Sequence, residues 1–318
     1  MEFRNRVALA PMSGVTDLPF RQLAHEFGAG FVVTEMVASK ELVGNTAESW
    51  TRLRNSGISP HIVQLAGRDP GWMAEGARIA EANGADVIDI NMGCPARKVT
   101  GSLCGSALMR EPELAIAIVK AVVEAVKVPV TLKMRLGWDE NSINAPELAE
   151  RAEECGVKMV TVHGRTRMQF YEGRADWDRI AEVRARISVP LVANGDVESV
   201  EDVAEILKRS GADAVMIGRG CQGRPWHCGV LAGVRQASSI EEVAAIFERH
   251  YRMTVDFYGY EVGYRQARKH VGWTLDRFAS DVTPEMRGRL LTSKDPEEVI
   301  GLMCEILHGA AEGLSEAA

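Results

Sequence analysis

The chain has 318 residues, of which 46% are hydrophobic and 25% are charged, an ordinary composition for a globular protein. Its formal net charge of −7 argues against general affinity for nucleic acid, but it leaves room for a local basic surface. Because the sequence shows neither a signal-peptide core nor a run of about 18 apolar residues, we expect a cytoplasmic protein without membrane spans.

Short apolar runs rich in valine and isoleucine recur about every 25 to 30 residues, the spacing of strand–helix units. Eight such runs begin near Arg6, Phe31, His61, Asp86, Val128, Met159, Pro190 and Ala214. Helical segments alternate with them, such as Pro112 to Val126, with proline in the first turn, and Ser199 to Arg209, with Gly211 just beyond. This alternation predicts an α/β fold of the (β/α)₈ type, a TIM barrel.

Each predicted strand ends in polar or glycine residues, whereas the strand starts carry no comparable set. The residues at these ends are Met12 and Ser13, Glu35, Gln64, Asn91, Lys133 and Arg135, His163 and Arg165, Asn194 and Asp196, and Gly218 and Arg219. In a TIM barrel the carboxyl ends of the strands converge on one face, where active sites lie. A shared site is therefore favoured over polar residues that merely close each strand.

The strand pattern stops after Trp226, and the residues from about 240 to 311 show a helical pattern throughout. We expect residues 1–235 to form the barrel and residues 240–318 to form a small all-helical C-terminal domain. In that domain Arg265, Arg268 and Lys269 are spaced to share a helical face. Such a face is usually only solvated, but it could also bind RNA phosphates.

Two glycine-containing loops close the seventh and eighth strands, Asn194 to Asp196 and Gly218 to Gly220. Loops at these places commonly bind phosphate, because glycine lets backbone N–H groups approach and Arg219 adds a charge-assisted contact. Many barrels bind phosphosugars in the same way, so the loops alone do not identify the ligand.

Three further strand-end residues suit a flavin. Lys133 would stabilise negative charge on a reduced isoalloxazine, and His163 would hydrogen-bond the ribityl chain or the phosphate. Gln64 offers an amide donor and acceptor to the pyrimidine edge. Each of these residues could also be an ordinary buried polar group, and it is their common position that favours a flavin site.

The six cysteines form no C-x-x-C pair, and their spacing fits neither a zinc site nor a compact disulfide framework. We therefore expect free thiols and no bound metal. One of them, Cys94, lies in a conspicuous setting between Asn91, Gly93 and Pro95.

Five motifs along the chain resemble those of the tRNA-dihydrouridine synthases. They are APMSGVTD at 10–17, NMGCPARKV at 91–99, HGRTR at 163–167, GRGCQGRPW at 218–226 and RKHVGW at 268–273. The Cys-Pro signature is highly specific, and the last motif resembles that of the bacterial B-type branch. Cys104 and Cys221 depart from the family pattern, and we expect both to have packing roles.

The resemblance implies a resident FMN bound by Pro11, Met12, Ser13, Gln64, Lys133, His163, Asn194, Gly195, Asp196, Gly218 and Arg219. It implies Cys94 as the catalytic acid. The substrate-binding residues would be Asn91, Arg135, Arg165, Arg167, Arg265, Arg268 and Lys269. The partners would be tRNA and a transient NADPH, since no G-x-G-x-x-G motif follows a strand. We expect a monomer.

The expected reaction is the reduction of the C5=C6 bond of specific uridines in the D-loop of tRNA. Hydride from flavin N5 would reach C6, and Cys94 would protonate C5, because a thiol with a pKa of about 8.5 is mostly protonated at neutral pH. The base would first be flipped out of the RNA. Two alternatives stay open. One is a small-molecule flavoenzyme of the dihydroorotate-dehydrogenase type, and the other is a non-catalytic RNA-binding barrel.

Overall fold

The computed structural model describes residues 3–55, 57–101 and 103–316, without the side chains at 98 and 310–316. The strands in these ranges are β1 Val7–Leu9, β2 Val37–Ala38, β3 Ile62–Ala66, β4 Val87–Met92, β5 Val130–Arg135, β6 Val160–His163, β7 Leu191–Asn194 and β8 Ala214–Ile217. All neighbouring strands are parallel and follow the order β1-β8-β7-β6-β5-β4-β3-β2.

Helices alternate with the strands and then continue alone to the end of the described chain. They are α1 Leu18–Glu26, α2 Ser39–Val43, α3 Ala47–Leu53, α4 Pro70–Ala82, α5 Arg97–Thr100, α6 Pro112–Ala125, α7 Ala145–Glu154, α8 Trp177–Arg184, α9 Val200–Ser210, α10 His227–Leu231, α11 Ile240–Tyr258, α12 Tyr260–Phe278, α13 Pro284–Thr292 and α14 Pro296–Glu316. Two 3₁₀ helices, Gly105–Arg110 and Arg219–Cys221, follow β4 and β8. The predicted TIM barrel with a helical C-terminal part is confirmed.

The second strand differs in detail from its prediction. The segment expected to form it makes only two single-residue bridges, from Val32 to Leu9 and from Val33 to Ile62, and these close the barrel between β1 and β3. The regular strand β2 lies further along the chain. A side-chain contact with the next strand interrupts the ladder here, because the Thr34 hydroxyl accepts the N–H of Gln64 at 3.0 Å in place of a backbone carbonyl.

Helix ends follow the chemistry of their capping residues. Ser199 caps α9 in a reciprocal capping box with Asp202, and Gly211 ends the helix with a left-handed φ of +65°. Asp17 caps α1 by accepting the N–H of Phe20 at 3.1 Å. The start and end predicted for α9 are confirmed.

The four C-terminal helices, α11 to α14, share an apolar core of their own. Phe247, Tyr251, Val271, Leu275 and Met303 are buried in it, and Trp226 of the barrel packs against the same cluster. The apolar contact holds the helices against the barrel beside its β8 end. Among the residues that the structure describes, no helix is both long and apolar enough to cross a bilayer.

Candidate active site

A cavity of about 420 Å³ opens among the carboxyl ends of the strands, a size typical of small-molecule sites. Cys94, Asn91 and Arg135 line it. Its wall also contains every residue that the resemblance assigns to the cofactor, namely Pro11, Met12, Ser13, Gln64, Lys133, His163, Asn194, Gly195, Asp196, Gly218 and Arg219. The barrel topology therefore gathers these strand-end residues around one space.

Lys133 on β5 lies buried in the barrel mouth. Its Nζ donates to Oδ1 of Asn194 on β7 at 3.1 Å, and Nδ2 of Asn194 donates to the carbonyl of Met216 on β8 at 2.7 Å. Burial lowers the pKa of Lys133 to about 8, although the negative charge of Asp89 opposes this effect. An ammonium has three donors, so Lys133 can also bind an anionic ligand in the cavity.

A buried arginine holds the loop that follows β7. Arg165 is only 1% exposed, and its guanidinium donates to both carboxylate oxygens of Asp196 at 2.8 and 2.5 Å. It also donates to the carbonyls of Glu172 and Gly173 at 3.0 and 2.7 Å and contacts His163 Nε2 at 3.3 Å. Four of the five guanidinium donors are used in these hydrogen bonds, and the fifth faces Nε2 of His163. The side chain of Arg165 thus fixes the loop beneath the cavity wall, and the substrate contact expected from the sequence stays a prediction.

Asp196 joins this network to the outer rim of the cavity. Its φ of +54° is unusual for a residue other than glycine, and its carboxylate also accepts from Arg219 at 3.1 Å and from the N–H of Ala175 at 2.8 Å. Partial burial alone would raise the pKa of Asp196, but the hydrogen bonds from Arg165 and Ala175 hold that pKa below its ordinary value. The carboxylate therefore stays ionised and orients Arg219 at the rim.

The next wall segment requires glycine. Gly195 has a φ of +127°, and a Cβ at this position would lie 2.6 Å from Cβ of Ala175 and 2.9 Å from Cδ2 of His163. Burial holds the pKa of His163 well below its ordinary value, and the charges of Arg135 and Lys133 act in the same direction. His163 therefore presents a neutral imidazole, with one donor and one acceptor nitrogen, at neutral pH.

The loop after β1 contributes Pro11, Met12 and Ser13 to the wall. The N–H of Met12 donates to Oγ1 of Thr16 at 2.8 Å, and the N–H of Gly14 donates to the buried carboxylate of Glu35 at 2.5 Å. Both contacts fix the backbone on which these wall residues lie.

The turn that carries Cys94 is held by Asn91. Oδ1 of Asn91 accepts the N–H groups of Gly93 and Cys94 at 3.2 and 3.1 Å, and its Nδ2 donates to Oε1 of Gln64 at 2.7 Å. The carbonyl of Cys94 accepts from Oγ of Ser106 at 2.8 Å. The Asn91 side chain thus fixes the backbone of Cys94 and so positions its thiol. Asn91 also lines the cavity.

Two buried residues, Asp89 and Thr131, complete this network, and sequence reasoning missed both. Nε2 of Gln64 donates to Asp89 Oδ2 at 2.6 Å, and Oγ1 of Thr131 donates to Asp89 Oδ1 at 2.6 Å. Burial raises the pKa of Asp89, while these two hydrogen bonds oppose the rise. The signal was present in the sequence, because Asp89 and Asn91 are two residues apart in β4 and therefore point to the same face.

Cys94 is half-buried at the edge of the cavity. Burial raises the pKa of its thiol, and the positive charges of Arg135 and Lys133 only partly oppose this effect. The thiol therefore stays protonated at neutral pH and can donate a proton.

Arg135 on β5 is buried beside Cys94. Its Nε donates to the carbonyl of Gly93 at 3.0 Å, and its Nη1 donates to the carbonyls of Thr166 and Phe170 at 2.7 and 2.8 Å. Burial lowers its pKa to about 10, so the guanidinium is charged at neutral pH. Among the described residues Nη2 has no acceptor, which leaves it available to a bound molecule.

Tyr171 stands at the cavity mouth and was not singled out from the sequence. It is 53% exposed, and its ring centroid lies 5.6 Å from Cζ of Arg135 and 5.1 Å from Cζ of Arg219. A planar ring between two cations suits contact with a planar ligand.

The remaining arginines and the lysine predicted to bind substrate lie outside the cavity wall. Arg167 follows β6, with its Nη2 3.3 Å from Oγ1 of Thr100. Arg265 is exposed on α12 and pairs with Glu261 at 3.6 Å, whereas Nη2 of Arg268 donates to the carbonyl of Thr292 near α13 at 3.2 Å.

Lys269 lies beside the loop after β1, and its Nζ donates to Oε1 of Gln266 at 2.8 Å. A Cβ built on Gly14 would lie 3.3 Å from its Nζ, and burial lowers its pKa against the charges of Asp17 and Glu35. Arg265 and Arg268 flank the Tyr264 ring, with Cζ atoms 5.5 and 5.0 Å from its centroid, whereas Lys269 lies against the barrel. A shared RNA-binding face of the three residues stays a prediction.

Comparison with known proteins agrees with the motifs. The family model for dihydrouridine synthase (Dus) matches residues 8–306. A probable tRNA-dihydrouridine synthase of Rhizobium leguminosarum bv. phaseoli is 63% identical over 318 residues, which cover 100% of both chains. The tRNA-dihydrouridine synthase B of Vibrio vulnificus is 46% identical over 281 residues, covering 86% of this chain and 87% of that protein.

One solved structure, TcOYE with pHBA, has a TM-score of 0.56 and 14% identity, and the match covers 72% of this chain and 89% of that one. At that identity the likeness concerns the barrel fold alone. The family match spans nearly the whole chain and agrees with the B-type resemblance of the helical motif, so the chain belongs to the dihydrouridine synthase family.

Proposed function

We propose that this protein reduces uridines of tRNA to dihydrouridine, with FMN as its resident cofactor and NADPH as its electron donor. The observation that carries the proposal is the position of the Cys94 thiol in the wall of a cavity that is also lined by the buried amine of Lys133. We take tRNA as the substrate because the relatives are named tRNA-dihydrouridine synthases.

The residues of the cavity fit FMN by their chemistry. Arg219 and the Gly195 loop would hold the phosphate, and Lys133 would lie near the isoalloxazine, where a cation stabilises negative charge. The wall at Gly195 has no room for a Cβ, so the backbone itself forms this part of the cradle. When bound, FMN supplies the hydride that C6 of the uracil receives.

The protein's own part in the chemistry is the transfer of one proton. Cys94 gives its proton to C5, so that the C5=C6 bond gains a hydrogen at each carbon and the thiol becomes a thiolate. The positive charges of Arg135 and Lys133 lower the cost of that thiolate. Nη2 of Arg135 and the Asn91 side chain would orient the uracil. NADPH would bind transiently, before the RNA.

The test separates the two half-reactions by stopped-flow flavin absorbance. Cys94→Ala should retain FMN and should be reduced by NADPH, but its reoxidation by unmodified tRNA should slow by about 10²- to 10⁴-fold, the usual value of general acid catalysis. Cys104→Ala is the matched control, because this thiol follows the same strand but does not line the cavity. Its reoxidation should stay within about twofold of the wild type.

Three results would contradict the proposal. They are a purified protein that neither contains nor takes up FMN, a reduced wild-type flavin that orotate-type small molecules reoxidise but tRNA does not, and a Cys94→Ala variant that tRNA reoxidises at the wild-type rate. Replacing NADPH with NADH in the reductive half-reaction tests the choice of donor.

A further inference from the structure

Four side chains outside the cavity form a stack of cations and aromatic rings, which we call the outer ladder. They are Arg110, Trp138, Arg167 and Phe170. Cζ of Arg110 lies 4.8 Å from the Trp138 ring centroid, and Cζ of Arg167 lies 4.7 Å from the same ring and 4.4 Å from that of Phe170. The ladder is built from the three loops that follow β4, β5 and β6, so it lies on the face of the barrel where the cavity opens.

The outer ladder is continuous with the cavity mouth. Phe170 is followed directly by Tyr171, which lines the cavity and contacts Arg135 and Arg219. The adjacent residues Phe170 and Tyr171 therefore connect the outer ladder to the cation–ring contacts at the cavity mouth. Met168 and Leu103, from two of the same loops, add exposed apolar surface beside this line.

The cations of the outer ladder have no ion-pair partner among the residues that the structure describes. In residues 3–55, 57–101 and 103–316, neither Arg110 nor Arg167 forms an ion pair, and Nε of Arg167 is buried without an acceptor. Three acids next to the ladder residues in sequence have other partners. Glu111 pairs with an arginine after β3 at 3.2 Å, Glu140 pairs with one on α8 at 3.5 Å, and Asp139 accepts from a serine hydroxyl of its own loop.

We infer that the outer ladder binds the nucleotides next to the uridine that enters the cavity, and this inference rests on the proposed function. A base can reach the cavity only when its neighbours in the strand are splayed from their stack. Guanidinium groups meet the phosphates of such a strand, and aromatic or guanidinium planes receive its bases. The uncompensated cations of the ladder explain how a chain with a net charge of −7 holds RNA at this face.

The experiment uses Arg110→Ala, since Arg110 is exposed and its removal leaves no buried group unpaired. Binding of unmodified tRNA is measured directly at several salt concentrations, and flavin reoxidation by the same tRNA is measured separately. The dissociation constant should rise at least about fivefold, and the slope of log affinity against log salt should fall by about 1. Trp138→Ala should weaken binding to a similar extent, and Trp138→Phe should restore most of it because it keeps a ring.

The matched control is Arg54→Ala. Arg54 also stands over an aromatic ring, 5.8 Å from the centroid of Phe257, but it follows α3 and precedes β3, so it lies at the opposite end of the barrel. Its removal should leave tRNA affinity and the salt slope unchanged.

Equal affinities and salt slopes in Arg110→Ala, Arg54→Ala and the wild type would overturn the inference. If wild-type protein binds tRNA but its reduced flavin is never reoxidised by tRNA, the proposed function is refuted instead. The inference about the outer ladder would then still be tested by comparing the tRNA affinities of the variants. Wild-type protein that does not bind tRNA would overturn both.

Discussion

Replacing Lys133 with methionine should stabilise the flavin-free protein while weakening its hold on an anionic ligand. A fall in the pKa of a lysine from 10.5 to about 8 corresponds to about 3 kcal/mol of unfavourable free energy for the buried ammonium at neutral pH. Methionine has a similar volume and carries no charge. It also leaves Oδ1 of Asn194 without its donor, which costs about 1–3 kcal/mol. The expected net gain at pH 7 is therefore about 1 kcal/mol.

The pH dependence gives a sharper readout than the net gain. In the unfolded chain Lys133 keeps its proton up to about pH 10.4, whereas in the folded protein it loses that proton near pH 8. Between these values the unfolded state binds more protons, so wild-type stability rises with pH. The advantage of Lys133→Met should be full below pH 8. It should shrink by about 3 kcal/mol by pH 10.5, where the variant becomes the less stable protein.

Urea denaturation of the flavin-free proteins from pH 6.5 to 10.5 measures this difference directly. Lys120→Met is the matched control, because Lys120 is exposed on α6 and makes only a 3.8 Å surface ion pair with Glu124. Its stability should stay within about 0.5 kcal/mol of the wild type at every pH. In parallel, Lys133→Met should bind FMN at least about tenfold more weakly, since it removes a charge-assisted contact.

The reasoning fails if the stability difference between Lys133→Met and the wild type does not change with pH. It also fails if the variant binds FMN as tightly as the wild type. Lys133 would then destabilise the fold without contributing to FMN binding.

Two further predictions concern other parts of the cavity. Gly195→Ala should lower the free energy of unfolding by about 2–4 kcal/mol in urea denaturation, because a left-handed φ and overlap with His163 both act, whereas Gly84→Ala, with a φ of +85° and open space, should cost only about 1–2 kcal/mol. Equal losses of unfolding free energy in the two variants would show that small shifts of the neighbouring side chains relieve the overlap at Gly195. Because burial raises the pKa of Cys94 and the protonated thiol is the active form, reoxidation by tRNA should be flat from about pH 6 to 8 and fall only above the ordinary thiol pKa of about 8.5. A decline centred below pH 8 would exclude this acid.

Much of the architecture could be read from local patterns. Apolar runs at a regular spacing predicted the barrel, and the cap residues Ser199 and Gly211 marked the ends of α9, because these signals depend on neighbours within a few residues. The placement of Gln64, Lys133 and Asn194 around one space also followed, since parallel strands in a barrel bring their carboxyl ends together.

Other features depend on partners that are distant in sequence. Whether Arg165 faces a ligand or a carboxylate depends on Asp196, 31 residues away, and the interruption of the second strand depends on the Thr34 hydroxyl meeting the N–H of Gln64, 30 residues away. Periodicity also placed Arg268 and Lys269 together, but packing turned one toward α13 and the other toward the barrel.

The sequence by itself determined the fold class, the strand-end residues and the family, because each of these follows from local pattern or motif. Only the tertiary structure decided which charged groups are already satisfied within the protein. It buried Arg165 against Asp196 and left Arg110 and Arg167 without ion pairs among the described residues. Charge compensation is a property of distances between loops, and no spacing along the chain contains those distances.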